Sequence, residues 1–81
     1  MRLTYEQRRS AIVAQGVILA NRDGLQNVTR KSLSDFCDLG TSEGTVRYYF
    51  PTQAMLWGAI ARHDDASDKV RQMARTLGIT T

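Results

Sequence analysis

The sequence has one cysteine, one histidine, one tryptophan and one proline, and each scarcity rules something out. A lone Cys37 closes no intramolecular disulfide, which suits a reducing compartment, and is expected to be a small buried apolar side chain. A lone His63 without a cysteine or histidine companion makes no metal site. No apolar run approaches the roughly 20 residues of a membrane-spanning helix. The opening "MRLTYEQRRS" has no apolar signal segment, so the expected location is the cytoplasm. Asp64, Asp65 and Asp68 stand without a nucleophile or metal cluster and read as a solvated polar face. With no catalytic constellation and no phosphate-cradling loop, neither enzyme activity nor a cofactor is expected.

What is present is ordinary for a globule: 81 residues, 42% hydrophobic and 23% charged, which bounds the chain at one domain with a small core. The formal charge is +3, spread over both halves of the chain. That excess permits a polyanionic partner without demanding one. No stretch alternates apolar and polar residues long enough for a strand, so the expected class is all-α.

Thr4 and Gln7 form a capping-box pair that opens a first helix, and Gly24 ends it. Ile12, Val13, Gly16, Val17, Leu19 and Ala20 supply its apolar face, with Leu25 and Val28 plugging the core behind it. A second helix starts at Thr29 or Ser32, carries Leu33 and Phe36 on one side with Cys37 and Leu39, and turns sharply at Gly40. A short third helix is capped by Ser42, anchored by Val46 and stopped by Pro51. Thr52 caps a fourth. From there Leu56, Ala59, His63, Ala66, Val70, Met73 and Leu77 recur at heptad spacing, with Ile60 beside them. The run "HDDASD" (63–68) weakens that pattern, so residues 52–77 are either one bent helix or two helices meeting near Asp65. Trp57 reads as a packing residue of the core or of a dimer.

The third helix, within "GTVRYYF" (44–50), buries little by this reading and displays much. An idle exposed helix carries Glu, Lys and Gln; this one carries Thr45, Arg47, Tyr48 and Tyr49. Arginine bridges guanine O6 and N7 or grips phosphate, threonine meets the thymine methyl or a phosphate, and tyrosine hydroxyls donate to phosphate. The start of the second helix, Thr29-Arg30-Lys31, offers N–H groups and positive charge to another phosphate.

"LGTSEGTVRYYFPTQAML" (39–56) resembles the DNA-binding signature of the TetR family of bacterial transcription regulators. Gly40, Ser42, Gly44, Thr45, Val46, Tyr49, Phe50, Thr52 and Leu56 match it, and Ile12, Gly24, Leu25, Val28 and Thr29 fall in the family's order upstream. The resemblance covers roughly residues 8–60. It implies a three-helix helix-turn-helix head (about 4–50), followed by connecting and dimerising helices (about 52–77). It also implies binding of a palindromic operator in the major groove of double-stranded DNA as a homodimer, with repression the usual outcome. On matching positions it implies a recognition helix from Ser42 to Tyr49, with Glu43, Thr45 and Tyr48 toward bases and Tyr49 and Thr29 toward phosphate. The chain departs from the pattern at Thr41 and Phe36, at Arg47 where tyrosine is usual, and at Gln53 where a lysine anchors the fourth helix to the DNA backbone. Gln53 stays in the candidate set without that charge.

The family's ligand-binding domain has no counterpart. Only 31 residues follow Phe50, so no small-molecule effector site is expected. The expected dimer surface is the heptad seam: Leu56, Ile60, His63, Val70, Met73 and Leu77. A second reading stays open, in which the chain is an interaction module that pairs with another regulator and modulates it.

Overall fold

The computed structural model describes residues 3–36 and 42–79, which form five α-helices and one 3-10 turn, with no strand among them. The helices are α1 (Tyr5–Asp23), α2 (Arg30–Phe36), α3 (Glu43–Tyr49), α4 (Gln53–Arg62) and α5 (Asp68–Thr76); the 3-10 turn is Leu25–Asn27. Cys37 and Leu39, expected on the apolar side of the second helix, and Gly40 and Thr41, expected in the turn before α3, lie outside the described residues.

The local signals explain the element ends. The Thr4 hydroxyl accepts from the Gln7 amide at 3.1 Å, and the Gln7 side chain accepts from the Thr4 amide at 2.9 Å. Together they satisfy two donors that a helix start leaves open. Gly24 ends α1 at φ 98°, a conformation that a Cβ disfavours, and donates to the Ala20 carbonyl at 2.8 Å. Ser42, Thr52 and Ser67 each accept from the amide three residues on, opening α3, α4 and α5. At the start of α2, Thr29 and Ser32 bond reciprocally, amide to hydroxyl, at 2.8 and 3.0 Å.

α1 runs through the centre. α4 crosses it, α2 leans on its flank, and α5 packs on α4 and on the 3-10 turn. Ile12, Leu25, Val28, Leu33, Val46, Leu56 and Ile60 are fully buried between these elements. Leu25 and Val28 plug the core as expected. The Val28 carbonyl accepts from the Trp57 indole at 2.7 Å and from the Gln53 side-chain amide, which ties the 3-10 turn to the first turns of α4. Trp57 therefore packs within the molecule.

The α1–α4 crossing depends on Gly16. A Cβ there would stand 2.8 Å from Ile60 Cδ1, closer than real contacts allow. Gly16→Val should destabilise the fold by about 1–3 kcal/mol through overpacking. Thermal unfolding followed by circular dichroism checks this, and an unchanged midpoint would mean the crossing has slack.

The heptad pattern breaks after Arg62. α4 stops at His63, residues 63–66 form a turn, and Ser67 caps a separate α5. Asn21 near the end of α1 clamps that turn: its side chain donates to the Asp65 carbonyl and accepts from the Ser67 amide, both at 3.0 Å. Arg71 adds bonds to the His63 and Asp64 carbonyls. Of the two arrangements expected for residues 52–77, the chain takes the helix pair.

Candidate nucleic-acid interface

α3 seats itself on one residue. Val46 is fully buried, Phe50 just beyond the helix is 1% exposed, and the Phe50 amide closes the helix onto the Val46 carbonyl at 2.8 Å. Glu43, Gly44, Arg47 and Tyr48 lie in solvent, Tyr48 at 70% exposure. Arg47 has no hydrogen-bonding or ion-pair partner among the described residues. Thr45 is half-buried, its hydroxyl 3.0 Å from that of Ser42, so these two hydroxyls occupy each other at the helix start. Glu43 in the first turn also complements the positive end of the helix dipole.

Tyr49 is half-buried against the core and turns toward α1. Its ring centroid lies 4.8 Å from that of Tyr5, and Tyr48 lies 5.2 Å from Tyr49 and 6.1 Å from Tyr5. The three rings make a closed cluster from two elements, with none of their hydroxyls bonded to a described residue. Arg9, one turn further along α1, lays its guanidinium over the Phe50 ring at 4.9 Å. The first two turns of α1 thus flank the end of α3. Neither Tyr5 nor Arg9 stands out in the sequence. Tyr5 is seven residues before Ile12, on the extension of the apolar face of α1, but its spacing says nothing about which helix it meets there.

The α2 residues are more committed than expected. The Thr29 hydroxyl is engaged with Ser32. Arg30 donates to the Pro51 carbonyl at 3.2 Å and bridges α2 to the turn after α3. Lys31 is exposed. Gln53 needs correction: it is half-buried and its amide donates inward to the Val28 carbonyl, so it holds the fold together and does not present that donor to solvent.

The expected dimer seam also needs correction. Leu56 and Ile60 are fully buried and Val70 is 2% exposed, all inside the chain's own core, so they have no surface for a partner. Heptad spacing here records α4 and α5 packing within the molecule. His63 and Met73 are half-buried, and of the seam only Leu77, at 40% exposure, is open.

An open groove of about 500 Å³ runs between the end of α1, the 3-10 turn and α5. Its size falls in the small-ligand range, larger than a chain this short was expected to form. Its walls are mainly long polar side chains, Asn21, Arg22, Gln26, Lys69 and Gln72, with Leu25, Val70 and Met73 at its base. At its edge Arg22 pairs with Asp23 at 2.9 Å, and that hydrogen bond holds the Asp23 carboxyl below its ordinary range. Among the described residues no three His, Cys, Asp or Glu side chains converge as a metal site, and no helix is long and apolar enough to cross a membrane.

No protein-family model, curated protein or solved structure matches the chain.

Proposed function

We propose that this chain is a sequence-specific double-stranded DNA-binding regulator of the TetR type, in which α2 and α3 act as a helix-turn-helix. One observation carries the reading: α3 is held by Val46 and Phe50 while Arg47 projects into solvent unpaired among the described residues, and Tyr48, 70% exposed, rests its ring on Tyr5 and Tyr49 with its hydroxyl unbonded. A helix anchored on one side and furnished on the other with an unpaired arginine and an exposed tyrosine hydroxyl suits the major groove. Arg47 and Glu43 address base edges. Tyr48, Lys31 and the Tyr5 hydroxyl address phosphates, with Tyr49 as the support on which Tyr5 and Tyr48 rest.

The regulator acts as a cytoplasmic homodimer on a palindromic operator, with two α3 helices about 34 Å apart, and represses by occlusion. Its dimer contact draws on what α5 leaves accessible, Leu77 and the edge of Met73.

Selection from random duplexes with the purified chain, followed by fluorescence anisotropy on the selected site, tests the reading. The expected result is a palindromic site and an affinity that falls steeply with salt, with a log–log slope near −0.9 per phosphate neutralised. No duplex binding at low ionic strength would overturn it.

A further inference from the structure

A second groove of about 280 Å³ lies between α1 and α4, lined by Arg9, Ser10, Val13, Ala59, Arg62 and His63. We infer that it is an anion site for a phosphoryl group. Every polar side chain in its lining is a hydrogen-bond donor, and no carboxylate lines it. Neither arginine has a carboxylate within ion-pair distance among the described residues; the acid paired with a lining residue is Asp65, 4.0 Å from His63 Nδ1 and largely exposed.

Both guanidinium groups are positioned by contacts that leave their charge unspent. Arg9 lies over the Phe50 ring at 4.9 Å. Arg62 folds back over bare Gly58, where a Cβ would stand 3.1 Å from its Nη2. His63 Nδ1 accepts from the Asp65 amide at 3.1 Å, which leaves Nε2 as the ring's other hydrogen-bonding nitrogen. Two guanidinium forks, a hydroxyl and an imidazole form a donor set whose chemistry suits phosphate oxygens better than uncharged ligands.

The phosphoryl group comes either from a free anion or from a DNA backbone, and the test separates the two. Inorganic pyrophosphate is titrated into the full chain at low ionic strength, with amide resonances followed by NMR and chloride at equal ionic strength as control. The expected result is saturable shifts at Ser10, Ala59 and His63, weakened about tenfold in Arg62→Gln, a change at an exposed side chain that leaves the fold intact. Arg9→Gln should do the same. Duplex binding by Arg62→Gln then assigns the source. A salt slope lowered by about one places a backbone phosphate in the groove, and unchanged duplex binding assigns the groove to the free anion. Absence of saturable shifts, or identical shifts in wild type and both variants, overturns the site whatever the duplex result.

Discussion

Alanine at Phe50 should destabilise the chain by about 3–5 kcal/mol. Total stability for an 81-residue chain is roughly 4–12 kcal/mol, so the variant should be marginal or unfolded at room temperature. The ring is 1% exposed, and it does more than fill volume. It follows α3 at the point where Pro51 forbids continuation, it anchors the helix end beside Val46, and Arg9 lies across it. Removing it opens a cavity under α3 and takes away the surface on which Arg9 rests. Urea denaturation followed by far-ultraviolet circular dichroism measures the loss. A change below about 1 kcal/mol would mean that Phe50 is peripheral to the core, against the cavity cost expected for a buried aromatic.

Arg47→Ala should have the opposite profile. Its side chain is exposed and unpaired, so thermal stability should move by no more than about 0.5 kcal/mol. Affinity for the selected duplex should fall by about 1–3 kcal/mol. If the guanidinium reads guanine, discrimination at one base pair relaxes while the salt slope holds. If it grips phosphate, binding weakens evenly across sequences and the slope drops by about one. Unchanged affinity would remove Arg47 from the interface, and with it the strongest reason to place α3 in the groove.

How much of this was legible beforehand varies with the range of the interaction. Local signals read well. The Thr4–Gln7 pair, Gly24, Ser42, Pro51 and Thr52 all mark element ends where the chain places them, because each works within about one helical turn of itself. The apolar face of α1 and the plug made by Leu25 and Val28 were equally visible.

Three features were not legible, and each depends on a distant partner. Gln53 is polar and sits at a helix start, so its residue type points to water; its amide instead meets the carbonyl of Val28, 25 residues away. Leu56, Ile60 and Val70 share a heptad rhythm that looks like a seam between copies. Periodicity says that a face is apolar and leaves open what covers it, and here the cover is the chain's own core. Tyr5 joins Tyr48 and Tyr49 only because the start of α1 comes to the end of α3, a matter of topology that no spacing encodes.

The Asn21 clamp has a consequence for mechanics. Because one carboxamide holds both Asp65 and Ser67, the turn that leads into α5 is fastened to α1, and the heading of α5 is set partly from there rather than steered freely by a hinge. A body joined to α5 would therefore take part of its aim from a side chain near the far end of α1.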